Sequence, residues 1–184
     1  MRIAVYSGSF DPLHIGHLTI LAYLNQHFDK VLLVVSPRNP FKDASKADNA
    51  LERLEAARDA IRRHPELGNI EVSDIEFTLD APQYTYRTLD AIHKKYPLDD
   101  ITLVIGGDNL AVFNQWRCYQ HILLDYSVLV YPRKSYDCVK LRDTFLRENP
   151  DYHITLANMP LVNISSTEIR EALLKRENID KWLA

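Results

Sequence analysis

The chain has 184 residues, 46% of them hydrophobic and 26% charged, with a formal net charge of −3; this is ordinary soluble-protein composition, and the length most simply fits one domain over 1–184. No run of about 18 apolar residues occurs, and the N-terminus enters a strand-like run with no apolar leader, so a cytoplasmic protein with no membrane span is expected. The slight negative charge argues against a protein that coats nucleic acid but leaves room for a local site for one small anion.

In chain order, strand-like runs are "RIAVYS" (2–7), "KVLLVVS" (30–36), "NIEVSDI" (69–75), "ITLVIG" (101–106), "SVLVYP" (127–132) and "YHITLA" (152–157). Several are continuously apolar, as expected of parallel strands covered on both faces. Helical spacing fills the intervals: 15–28, 49–63, 86–95, 110–123, 139–147 and 166–175. The pattern of Leu51, Leu54, Ala57 and Ile61 is one instance. There is no internal repeat, low-complexity tract or linker. The alternation predicts an α/β fold, a doubly wound and mainly parallel sheet with helices on both faces and right-handed crossovers. Cys118 and Cys138 form neither a C-x-x-C pair nor a disulfide framework and read as reduced thiols.

Such sheets bind ligands beyond the carboxyl ends of their strands, near the point where strand order reverses. Polar segments follow the strands here: "GSFDPLHIGH", "SPRNPFKD", "GGDN" and "YPRK". Four of the five glycines (Gly8, Gly16, Gly106, Gly107) sit in two of these regions, where glycine permits close backbone approach or positive φ. In the first segment Gly8 and Ser9 turn the chain, and a helix starts near His14 or Ile15. His14 and His17, three apart, then share a face at a helix N-terminus, which offers amide donors and a positive dipole to an anion. Imidazoles and amides together suit a phosphate gaining charge in a transition state. A zinc pair would need i,i+4 spacing and further ligands, which are absent, so no metal ligands are assigned. Histidines that merely cap the helix are the plainer alternative. Neither G-x-x-x-x-G-K-[ST] nor G-x-G-x-x-G occurs, so a P-loop and a dinucleotide-binding dehydrogenase are disfavoured. Near the C-terminus, "ISSTEIR" (164–170) contains a capping box of Ser165 and Glu168, so a helix starts there with Ser166 and Thr167 in its first turn and Arg170 one turn in. That is a second helix start with hydroxyls and a guanidinium.

Gly8, Phe10, Asp11, Pro12, His14, Gly16 and His17 together resemble the signature of the nucleotidyltransferase superfamily with the H-x-G-H motif, and "ISSTEIR" resembles its second signature. Over nearly the whole chain, "APQYTYRTL" (81–89), "IGGDN" (105–109) and Trp116 resemble bacterial nicotinate-nucleotide adenylyltransferases. The resemblance implies a Rossmann-like nucleotidyltransferase fold and transfer of an adenylyl group from ATP to nicotinate mononucleotide, with Mg²⁺ carried by the ATP. It implies His14 and His17 as catalytic residues. It implies ATP contacts at Gly8, Ser9, Phe10, His14, His17, Gly106, Asp108 (to a ribose), Arg133, Ile164, Ser165, Ser166, Thr167 and Arg170. Mononucleotide contacts are implied at Ser7, Lys42, Tyr84, Thr85 and Trp116, with Thr85 at the nicotinate end and Trp116 stacked on the ring. The family's Pro-Pro-His-Lys is Asn39-Pro40-Phe41-Lys42 here, so Phe41 replaces a hydrogen-bonding histidine. Another adenylyltransferase of the superfamily, such as one acting on phosphopantetheine, and a non-catalytic nucleotide-binding module are the alternatives. Oligomeric state is left open.

Overall fold

A computed structural model of the chain describes residues 1–37, 49–175 and 177–184. Six strands form one sheet: β1 (Arg2–Gly8), β2 (Lys30–Val35), β3 (Ile70–Ser73), β4 (Asp100–Gly106), β5 (Ser127–Tyr131) and β6 (Ile154–Leu156). Their order is β3-β2-β1-β4-β5-β6 and every pairing is parallel. The order reverses between β1 and β4, so a crevice is expected beyond their carboxyl ends. Both ends reach it, with Gly8 opposite Val35 and Tyr6 opposite Val104.

Strand periodicity explains the two-sided core. Ile3 and Val5 of β1 join Leu32, Val34, Leu103 and Ile105 on one face. Ala4 and Tyr6 join Val31, Leu33 and Val35 on the other. Successive side chains point to opposite faces, and both faces are dry, so the strands read as unbroken apolar runs. Helices α1 (Ile15–His27) and α2 (Ala50–Arg62) cover the second face through Ile20, Leu21, Leu24, Leu54 and Ala57. The first face is covered by α3 (Thr85–Lys95), α4 (Gly107–Ala111), α5 (Tyr119–Asp125) and α6 (Cys138–Glu148). Helix α7 (Ser166–Leu174) carries Ile169 and Ala172 into a small separate cluster with Ile179. The doubly wound parallel architecture expected from the sequence is the one found. Among the described residues no helix is long and apolar enough to cross a membrane.

Two expectations fail locally. The helix expected over 110–123 is broken into α4, a 3₁₀ turn at Phe113–Gln115, and α5. Leu110 and Phe113 are fully buried, Trp116 packs on Phe113 with ring centroids 4.7 Å apart, and Cys118 takes a left-handed backbone (φ 56°). Tertiary packing of those rings overrides a stretch that contains neither proline nor glycine. The third strand is also shorter than expected: it stops at Ser73, and Ile75–Thr78 form a 3₁₀ turn.

Candidate active site

The chain leaves β1 at Gly8 and enters α1 at Ile15, with His14 as the N-cap. The cap is built from both histidines. The Gly16 amide donates to His14 Nδ1 (3.1 Å), and the His14 amide donates to His17 Nδ1 (3.2 Å). The rings stack with centroids 3.6 Å apart. An Nδ1 that accepts an N–H carries no proton, so each neutral ring holds its proton on Nε2. His14 is only 2% exposed, and its Nε2 is a buried donor with no partner. Burial, with the Arg133 charge nearby, lowers the His14 pKa to about 4; burial, His14 and Arg133 hold that of His17 well below the usual imidazole range. The site thus presents neutral N–H donors. The helix-start amides are less free than the sequence implies, because His14 itself takes the one from Gly16.

Glycines act here through space rather than torsion: no glycine has positive φ, and the left-handed residue of this loop is Phe10 (φ 45°). A Cβ on Gly16 would stand 2.7 Å from Ile164 Cγ2 and 2.8 Å from Val162 Cγ1. Gly16 therefore lets the start of α7 approach the start of α1. Arg170 locks the contact, donating from Nη1 to the Asp11 carbonyl (2.6 Å) and from Nη2 to Thr167 Oγ1 (3.3 Å). The capping box at α7 forms as expected, but it engages the Ser165 hydroxyl with Glu168. A hollow of about 410 Å³ opens between the two helix starts, with Gly16, Ile164 and Glu168 in its wall. Ser166 begins α7.

Gly106 caps α4 at the end of β4. A Cβ there would collide with Asp108 Oδ1 and meet Arg133 Cγ at 3.0 Å, so these three residues form one group. Arg133 Nε lies 3.6 Å from Asp108 Oδ1, close enough for an ion pair but not for a hydrogen bond, and that buried oxygen has no hydrogen-bond partner.

Between β1, α3 and the 115–117 turn lies a cavity of about 720 Å³. It gathers the sequence candidates Ser7, Gly8, Ser9, Phe10, His17, Tyr84, Thr85 and Trp116. Thr85 is the first residue of α3 and Tyr84 its N-cap. The amides of Thr85 and Tyr86, in the first turn, have no helical acceptor. Lys42 lies outside the described residues.

Three residues of this site went unnoticed in the sequence. Glu76 lines the cavity, 3% exposed. It accepts from Thr88 Oγ1 (2.7 Å) and Ser7 Oγ (3.5 Å), while its Oε2 is buried without a partner; burial raises its pKa. Arg53 is buried in α2 and donates to the carbonyls of Ser9 (2.6 Å), Ser36 (2.9 Å) and Pro37 (3.1 Å), tying the loops after β1 and β2 together. Arg117 lines the cavity beside Trp116. Glu76 gives no sequence signal. Arg53 does: with Ala57 and Ala60 it falls on the apolar face of its helix at i, i+4, i+7.

Residues 5–172 match the cytidylyltransferase-like family. A probable nicotinate-nucleotide adenylyltransferase of Cytophaga hutchinsonii is 39% identical over 100% of this chain and 91% of its own length. One from Bacteroides fragilis is 37% identical over 99% of this chain and 87% of its own. Among solved structures, the Plasmodium falciparum nicotinic acid mononucleotide adenylyltransferase complexed with NaAD superposes with a TM-score of 0.79 at 20% identity. The superposition covers 99% of this chain and 90% of that one, a likeness of fold.

Proposed function

The chain belongs to the cytidylyltransferase-like family and, within it, to the nicotinate-nucleotide adenylyltransferases, and from that premise we propose that it transfers the adenylyl group of ATP to nicotinate mononucleotide, giving deamido-NAD and pyrophosphate. The observation that carries the reading is the continuity of the site. One cavity runs from His17 and the loop after β1 to Thr85 and Trp116, so a phosphate at one end and a pyridine ring at the other fit one molecule.

In this reading the triphosphate lies over the starts of α1 and α7, against the Nε2–H groups of His14 and His17, with Thr167 and Arg170 beside it. Asp108 accepts from the adenosine ribose and Arg133 lies by the adenine or the phosphates. The mononucleotide occupies the cavity with its ring on Trp116 and its carboxylate toward Thr85 and the first-turn amides of α3. A phosphate oxygen of the mononucleotide attacks the α-phosphorus in line. The bond from that phosphorus to the β-phosphate bridging oxygen breaks, and its electron pair leaves with pyrophosphate. No covalent enzyme intermediate is required, so positioning and charge stabilisation supply the acceleration. The rings donate as neutral imidazoles through Nε2–H, since a second proton on either Nδ1 would face the backbone amide that it accepts. Magnesium would enter with ATP and supply positive charge to its phosphates; among the described residues no group of three or more His, Cys, Asp or Glu is placed to hold a metal.

The test is pyrophosphate release from ATP with a panel of acceptors: nicotinate mononucleotide, nicotinamide mononucleotide and phosphopantetheine. Turnover highest with nicotinate mononucleotide supports the reading. Turnover with phosphopantetheine alone assigns another member of the superfamily, and none with any acceptor removes the catalytic reading.

A further inference from the structure

We propose that Arg117 reads the charge of the pyridine substituent and so sets the choice between a nicotinate and a nicotinamide mononucleotide; the inference rests on the adenylyl-transfer reading above. Among the described residues lining the cavity, Arg117 is the only Lys or Arg and Glu76 the only carboxylate. The two belong to different parts of the wall. Glu76 is held by Ser7 and Thr88. Arg117 follows Trp116 directly, and its guanidinium carbon lies 5.9 Å from the centre of the Tyr84 ring. Tyr84 in turn precedes Thr85, so the guanidinium stands at the corner where the Trp116 turn meets the start of α3.

Two features make this a reader of charge rather than a stray surface arginine. First, Arg117 forms no ion pair or hydrogen bond with another described residue, its contact being the Tyr84 ring. Its donors are free for a ligand, and the ring beneath limits the planes the guanidinium adopts. Second, the next residue, Cys118, is left-handed (φ 56°), and the Tyr119 amide closes the turn onto the Trp116 carbonyl (3.2 Å). Non-glycine residues take that conformation where the surroundings fix it, often at a site. Here it fixes Trp116 and Arg117 on the same wall.

The chemistry then separates the two substrates in both directions. Nicotinate mononucleotide carries a cationic ring and a carboxylate, and the carboxylate offers a guanidinium two charged acceptors. Nicotinamide mononucleotide carries the same cationic ring with a neutral amide, so the guanidinium meets an uncompensated positive charge and an NH₂ group that brings more donors. One arginine attracts the first and repels the second.

The experiment measures kcat/KM for both mononucleotides with the full chain and with Arg117→Ala, Arg117→Lys and Arg117→Glu, at low and at physiological ionic strength. The nicotinate-to-nicotinamide ratio is expected to fall about tenfold in Arg117→Ala, mainly through the nicotinate KM. Lysine should restore part of the ratio. Glutamate should lower it further while raising use of the amide. Added salt should narrow the wild-type preference more than that of Arg117→Ala. A selective wild type with an equally selective Arg117→Ala variant would overturn this inference alone. A wild type inert toward both mononucleotides would overturn the adenylyl-transfer reading and this inference with it.

Discussion

His14 and His17 stack 3.6 Å apart while each gives its Nδ1 lone pair to a backbone amide of the same helix start. The helix cap uses Nδ1 of both rings, and the donors proposed to meet the phosphates are the Nε2–H groups of the same two rings. Removing one ring should affect activity far more than folding. For His17→Ala we expect kcat to fall by about two or more orders of magnitude, as loss of a charge-stabilising donor does. The cost of leaving the His14 amide without its acceptor is about 1 kcal/mol. Steady-state kinetics with a denaturation curve of the same preparation checks both. A folded variant with near-wild-type turnover would remove His17 from the chemistry.

Stability should depend on pH through His14. Its folded-state pKa of about 4 lies below the ordinary imidazole value of 6.5, so between those values the unfolded chain binds more protons than the folded one. Stability from this group is complete above about pH 6.5 and is lost as pH falls toward 4. At pH 5 the loss amounts to about 2 kcal/mol, from roughly 1.36 kcal/mol per pH unit. Asparagine at position 14 can cap the helix without titrating. Urea denaturation at pH 7 and pH 5 should show a larger drop for wild type than for His14→Asn. Equal drops would mean that His14 is not held neutral.

Arg170 bridges α7 and the Asp11 carbonyl of the first loop. Arg170→Ala is expected to weaken ATP binding about tenfold and mononucleotide binding by less than about twofold, as loss of a charged donor beside the triphosphate implies. Calorimetric titration with each ligand separately distinguishes this from equal losses, which would count against the assignment.

Glu76 holds the buried Thr88 hydroxyl one turn into α3, and the same helix begins with Thr85. Glu76→Leu strands that hydroxyl at a cost of about 1–3 kcal/mol and loosens the helix start. We expect lower stability and a raised mononucleotide KM with ATP affinity unchanged. Glu76→Gln, which keeps an acceptor, should behave nearly as wild type. A change confined to ATP would contradict the placement.

The fold was legible because its main determinants are local. Runs such as Val31–Val35 are apolar on every residue, and parallel strands buried on both faces require that. Both helix starts were legible too, since His14 and Ser165 carry their cap chemistry in adjacent sequence. The break between Leu110 and Leu123 was not, because it depends on where Phe113 and Trp116 find partners. The sequence shows where the glycines cluster but not the reason for each. Gly16 and Gly106 make room for Ile164 and Asp108, and none of the glycines supplies positive φ. Glu76 and Arg53 reach the site through the sheet order, which brings segments distant in sequence to the same strand ends, whereas Arg117 adjoins Trp116 in the chain.

Attack of the mononucleotide phosphate on the α-phosphorus of ATP is tested most sharply by the fate of oxygen. Nicotinate mononucleotide labelled with ¹⁸O in its phosphate should be incubated with ATP, Mg²⁺ and the protein, and the products resolved by mass spectrometry. Deamido-NAD should carry all of the label, with one unlabelled pyrophosphate per dinucleotide and no ADP. Label in pyrophosphate, ADP as the nucleotide product, or consumption of ATP without a dinucleotide would contradict it.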